Sequence, residues 1–201
     1  MSFSGSCKGD IFLNPALKEG RDILREHYHD NHVIHAVKYF ASYEGYDEVY
    51  CDFNAGFGAI ATEVAGYFKH NILHEPDEIL AQVLNVNMTL KGIPGQWEIS
   101  PVPPRLTGKG IVRCAMGTDA NILLETGASI VIFQNKQPVK VSAPLHDAFL
   151  YSADMDKSRP FKTLWTLITK GYAFKMRKIT LTDELAAGDY IFLPKDFDQI
   201  L

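Results

Sequence analysis

Leu123-Leu124-Glu125-Thr126-Gly127-Ala128-Ser129-Ile130-Val131-Ile132-Phe133 sets a leucine-rich segment and a glycine directly before a β-branched run. The run from Ser129 to Phe133 is too short for a buried helix and too apolar for a loop, so it reads as a core strand. Working outward, similar short runs follow at Val139-Lys140-Val141, Leu164 to Thr169, Ala173 to Leu181 and Tyr190 to Leu193, and one precedes it at Ile111-Val112-Arg113. A helix is expected between them, from Leu145 to Ala153. Upstream, the Pro/Gly-rich stretch from Gly92 to Gly110 is read as a loop within one domain.

Before that loop the spacing changes. Asn14-Pro15 suits a helix start, because Asn caps free amides and Pro is tolerated at the first helical position. Val33, Val37 and Phe40 give a second helix, and Tyr46, Val49, Tyr50 and Phe53 a third, stopped by Asn54-Ala55-Gly56. Ile60, Val64, Tyr67 and Phe68 make a fourth, and Pro76 opens a fifth that carries Ile79, Leu80, Val83 and Leu84. The expectation is an α+β domain over 1–201, helical from 12 to 90 and β-rich from 105 to 195.

Composition narrows the class. The 201 residues are 46% hydrophobic and 22% charged, ordinary globular usage with length for one sizeable core. A net charge of −4 and a pI near 6.0 do not point to nucleic acid or an anionic membrane. Three cysteines, Cys7, Cys51 and Cys114, match no zinc spacing and suit a reducing compartment. No secretory pattern opens the chain, so a cytoplasmic location is expected.

Two local constellations compete for chemistry. His27, His29, His32 and His35 are crowded into nine residues, and with Asp30 or His74-Glu75 they offer metal ligands without matching a standard motif; solvated or partly buried imidazoles are the plainer reading. Cys51 or Cys114 with His146 offers a thiol nucleophile, against which stands simple burial of small apolar cysteines.

A third constellation spans the chain. Gly110-Ile111-Val112-Arg113, the leucine-rich segment with its Gly127 turn, Ser142-Ala143-Pro144 leading to Ala148-Phe149-Leu150-Tyr151, and Thr182-Asp183-Glu184 before Gly188 follow one another in the order Arg, Ser, Glu. This resembles the Arg/Ser/Glu class of mono-ADP-ribosyltransferases, and particularly the small enzymes of T-even bacteriophages, over about residues 30–193. The resemblance implies a helical N-terminal half packed on a split, mostly antiparallel β core with an NAD cleft. It implies NAD as substrate, a macromolecular acceptor expected to be a host protein, and host cytoplasm or a virion as the location.

In that family's terms Glu184 is the catalytic carboxylate that steadies an oxocarbenium-like ribose, Ser142 holds its rotamer, and Arg113 grips phosphate oxygens. Phe133 and Tyr151, or Phe149, would cover the nicotinamide. The motifs depart from the family at Ala143-Pro144 and at Thr182, where a Glu is usual. Two readings therefore stay open, an active transferase and a catalytically inactive member of the fold kept for binding; a His-rich metal-dependent hydrolase is a third.

Overall fold

The computed structural model describes residues 6–8, 11–13, 31–93, 96–106, 108–115, 117–126, 128–143, 145–152, 165–169, 172–180 and 184–197. A small antiparallel hairpin, β1 (Ser6–Lys8) and β2 (Ile11–Leu13), comes first, and helix α1 (Asn31–Phe40) follows. Three strands then alternate with helices: β3 (Val49–Phe53), α2 (Ala61–Val64) with a 3-10 turn over Ala65–Tyr67, β4 (His70–His74), α3 (Glu78–Leu90) and β5 (Gln96–Ser100). The chain returns through β6 (Ile111–Cys114), α4 (Ile122–Glu125) and β7 (Ile130–Asn135). It ends in β8 (Val139–Lys140), β9 (His146–Ser152), β10 (Trp165–Thr169), β11 (Tyr172–Ile179), β12 (Glu184–Leu185) and β13 (Gly188–Pro194).

Nine of these strands form one sheet in the order β10-β11-β9-β13-β7-β6-β3-β4-β5, and β8 pairs with β12 apart from it. From β5 to β7 every neighbour is parallel. β13 runs antiparallel to both β7 and β9, and β11 is antiparallel to both β9 and β10, so only those two oppose the other seven. Parallel neighbours need crossovers, and α2, α3 and α4 are the segments that make them.

The two faces of the sheet are sorted by the period of two along each strand. Tyr50, Ile111, Ile130, Ile132 and Ile191 face α1, α2 and α3 through Val33, Val37, Phe40, Ala61, Val64, Leu84 and Met88. Cys51, Phe53, Val112, Cys114, Val131, Phe133 and Phe192 face the other way, onto Ile122 and Leu123 of α4. Both faces of the parallel strands are thus covered, as parallel sheets require.

That burial corrects the expected fold. A strand apolar on both faces has no polar alternation to mark it, and Val49, Tyr50 and Phe53 happen to fall at helical spacing, so β3 reads as a helix from sequence. β4 and β5 also lie inside or just beyond the span expected to be helical, and α2 with its 3-10 turn is all the helix formed between Ile60 and Phe68. The Leu145 to Ala153 helix is instead β9, with Ala148 toward one core face and Phe149 toward the other. The molecule is an α/β protein with a doubly wound parallel half, not a helical half on a split, mostly antiparallel core. The expected helix from Pro15 to His29 lies outside the described residues.

Other elements form where the residues ask for them. Pro76 leads into Asp77, whose Oδ1 accepts from the amides of Ile79 at 2.8 Å and Leu80 at 3.0 Å, capping α3. No helix among the described residues is long and apolar enough to cross a membrane.

Candidate functional site: the switch-point crevice

Counted along the chain, the first five strands of the large sheet lie in the order 3-2-1-4-5, with β3 as the first and β6 as the fourth. The chain moves outward from β3 to β5 and then crosses back to the other side of β3. The loops leaving the carboxyl ends of β3 and β6 therefore part in opposite directions, and a crevice opens between them; in doubly wound sheets this reversal is where ligands bind. Here the crevice has a volume of about 250 Å³ and is lined by Phe53 at the end of β3 and Asn54 after it, His74 at the end of β4, Pro103, and the Gly117 to Glu125 segment after β6.

The loop after β3 reads Asn54-Ala55-Gly56-Phe57-Gly58, with positive φ at Asn54 (58°), Gly56 (59°) and Gly58 (78°). Gly58 is required twice over. Its φ disfavours any side chain, and a Cβ there would stand 2.3 Å from Leu84 Cδ1 of α3.

Buried Glu75 braces this loop. Its Oε2 accepts the Gly56 amide at 2.7 Å and its Oε1 accepts the Asp77 amide at 2.9 Å. Asn87 of α3 pins the loop from behind, its Nδ2 donating to the Phe57 carbonyl at 2.8 Å and the Phe12 carbonyl at 3.0 Å, while its Oδ1 accepts from the Phe12 amide at 2.6 Å.

Across the crevice, Asn54 Nδ2 reaches Thr118 Oγ1 at 3.4 Å, and that hydroxyl donates to the Ala115 carbonyl at 2.7 Å. The His74 ring lies 5.5 Å from the Phe53 ring, centroid to centroid, and burial pushes its pKa down, partly opposed by the Pro101 carbonyl. It is therefore neutral near pH 7. Apolar Phe53, Pro103 and Ile122 thus share the walls with two carboxylates, Asp119 and Glu125, and the described lining holds no lysine or arginine.

The residues expected to act on NAD are placed elsewhere. Arg113 is buried within β6, where Nη1 donates to Asp52 Oδ1 at 2.9 Å and Nε and Nη2 donate to Gln134 Oε1 at 3.3 and 3.1 Å. Asp52 also accepts from the Tyr50 hydroxyl at 3.0 Å; burial pushes its carboxyl up and the guanidinium pulls it back. An arginine so engaged is a strand-to-strand tie rather than a phosphate grip. Ser142 is exposed beyond β8, and Glu184 is exposed in β12, opposite Lys140. Phe133 is enclosed in the core, edge-on to Phe192 at 6.3 Å. Tyr151 occupies β9 opposite Asp189 and Met176.

The rival constellations fare as follows. His27, His29 and Asp30 lie outside the described residues, His32 Nε2 pairs with Asp189 Oδ2 at 3.0 Å, and no three His, Cys, Asp or Glu among the described residues group to hold an ion. Cys51 and Cys114 are core residues whose thiols burial pushes up, away from the thiolate. His146 is buried, with its Nε2 donating to the Ser129 carbonyl at 3.1 Å.

The crevice residues carried a signal that sequence reading passed over. A Gly-rich run after an apolar strand, with an acid about twenty residues on, is the pattern of a nucleotide-binding loop. Asn54-Ala55-Gly56 reads equally as a helix stop when β3 is taken for a helix.

No family model and no curated protein matches the chain. Among solved structures it is similar to the YcgJ protein from Bacillus subtilis, at 15% identity over 53% of this chain and 51% of that one, with a TM-score of 0.40. It thus spans about half the length of that protein. A SAM-dependent methyltransferase from Leishmania major aligns at 14% identity, covering 82% and 77% of the two chains, with a TM-score of 0.45. A methyltransferase so described from Bacillus halodurans aligns at 11% identity, covering 81% and 99%, with a TM-score of 0.46. The fold assignment rests on the strand order itself. That order, with Arg113 buried against Asp52 and Gln134 while Ser142 and Glu184 lie exposed near the β8–β12 pair, corrects the ADP-ribosyltransferase resemblance; NAD as substrate and an inactive member of that fold go with it.

Proposed function

We propose that the crevice binds S-adenosylmethionine and that the protein is a methyltransferase. One observation carries the reading: a nucleoside-sized crevice at the switch point whose charged lining, among the described residues, is anionic only. A dinucleotide would set its pyrophosphate on the loop amides and seek a cation. Here the Gly56 amide is already given to Glu75, and no cation among the described residues lines the wall. The sheet also departs from the dinucleotide order 3-2-1-4-5-6, because antiparallel β13 stands between β7 and β9.

Bound there, S-adenosylmethionine supplies a methyl group made electrophilic by its sulfonium. The residues do the rest by placement. Phe53, Pro103 and Ile122 offer apolar walls to a purine, and Asp119 and Glu125 offer acceptors to amino groups. Glu75 keeps the loop in shape and puts negative charge beside it, which favours a cationic ligand over a phosphate. Methyl transfer needs no oxidant: an acceptor lone pair takes the carbon and the carbon–sulfur pair returns to sulfur.

Calorimetric titration tests this with S-adenosylmethionine, S-adenosylhomocysteine and NAD. The first two should bind at roughly micromolar Kd and NAD should not. Glu75→Gln should weaken them by about tenfold or more, the scale of one charge-assisted hydrogen bond. Binding of NAD without either sulfur ligand overturns the proposal.

A further inference from the structure

His74 is the one imidazole in the described lining of the crevice. It closes β4, is 7% exposed, and its Nδ1 has no hydrogen-bond partner. Few buried polar atoms go without a partner, so such an atom asks for an account. An apolar side chain would fill the place beside Phe53 and leave no orphan.

The surroundings of the ring are mixed. Phe53 of β3 lies against it, while Asp52 of the same strand is turned to the opposite face and held by Arg113. Ser100 is its partner in β5, and two residues back along that strand Glu98 stands 4.0 Å from His70 of β4. Asp119 and Glu125 share the crevice from the segment after β6, and Glu75, next in the chain, is turned to the Gly56 and Asp77 amides. The Pro101 carbonyl favours a protonated ring and burial disfavours it, burial being the larger influence. The charged groups on this face are thus acids, among which an imidazolium can form while water still fills the crevice. A ligand that displaces the water leaves a charged ring worse solvated than before.

We propose that His74 makes the crevice a proton-linked site, which holds its ligand while the imidazole is neutral and gives it up as the ring takes up a proton. The proposal rests on the methyltransferase reading for the ligand's identity and adds regulation by pH to it. The filled crevice disfavours the imidazolium more than the open one. Affinity is therefore complete above the pKa of the open form and is lost as pH falls through it, by up to about tenfold per pH unit for one proton.

The test titrates the whole chain calorimetrically with S-adenosylhomocysteine from about pH 7.5 to about pH 5, the range in which imidazole is the side chain that ordinarily changes charge. Thermal melting at each pH checks that the protein stays folded. The wild-type Kd should be level near neutrality and rise by roughly threefold or more at the acid end. Acid titrations in two buffers of different ionisation enthalpy should show protons released as the ligand binds. His74→Gln keeps a polar side chain that does not titrate, so the rise should shrink to less than about twofold whatever the affinity of the variant at neutral pH. His74→Asn gives the same readout should the Gln variant not fold. His70→Gln removes an imidazole outside the described lining and should keep the full rise. A level wild-type Kd without proton release overturns the inference and leaves the proposed function standing. A rise that survives in His74→Gln also overturns it, because another group then carries the proton. A wild-type protein that does not bind S-adenosylhomocysteine even at neutral pH removes both proposals together.

Discussion

The parallel run β5-β4-β3-β6-β7 and the antiparallel run β13-β9-β11-β10 belong to one sheet but have different consequences at their ends. In the parallel run all carboxyl ends point one way, so the loops after β3, β4 and β6 converge and residues as distant in sequence as Asn54, His74 and Thr118 share a crevice. In the antiparallel run the ends alternate. β10 and β11 pair antiparallel, with Thr169 opposite Tyr172, which extends the sheet.

Polar chemistry divides the same way. Asp52, Arg113 and Gln134 tie β3, β6 and β7 through buried bonds. Lys178 and Asp147 tie β11 to β9 at 2.6 Å on the surface, with side chains 57% and 39% exposed. The parallel half is therefore where a single side chain should decide both stability and binding.

Three substitutions can break or sharpen that contrast. The largest effect is expected from Arg113→Ala, which leaves the buried Asp52 carboxyl without its guanidinium partner. Removing one member of a buried pair costs about 3–5 kcal/mol, read as a lower urea midpoint. A loss below about 1 kcal/mol would mean that the tie is not what holds these strands.

Gly58→Ala comes next. It forces a side chain into a positive-φ position and against Leu84, and should cost about 1–3 kcal/mol. For a chain of this length that is a drop of several degrees in Tm, roughly 2–4 °C per kcal/mol. An unchanged Tm would show that the loop can reshape itself, and would weaken the case for a fixed crevice.

The smallest effect belongs to the antiparallel half. Lys178→Ala removes one side of an exposed pair and should change stability by no more than about 0.5 kcal/mol, less still in high salt. A loss comparable to that of Arg113→Ala would erase the distinction between the halves.

Much of the antiparallel half was legible in the residues. The runs at Leu164 to Thr169, Ala173 to Leu181 and Tyr190 to Leu193 correspond to β10, β11 and β13, because β-branched content and short length mark a strand wherever it lies. The apolar runs that became β6 and β7 were legible for the same reason. β3 and β4 were not. Val49-Tyr50-Cys51-Asp52-Phe53 is covered on both faces, with even Asp52 buried against Arg113, so its pattern holds no polar alternation, and its spacing imitates a helix.

By itself, then, the sequence determined the helical faces of α1 and α3 and the strands β6, β7, β8, β10, β11 and β13, since each follows from neighbours a few residues apart. Only the tertiary structure decided that β3 is a strand, that β6 returns to lie beside it, and that Arg113 turns inward to Asp52 while Asn54 meets Thr118 across a crevice. Strand order and direction are set by long-range pairing and by covering both sheet faces, which local periodicity does not encode.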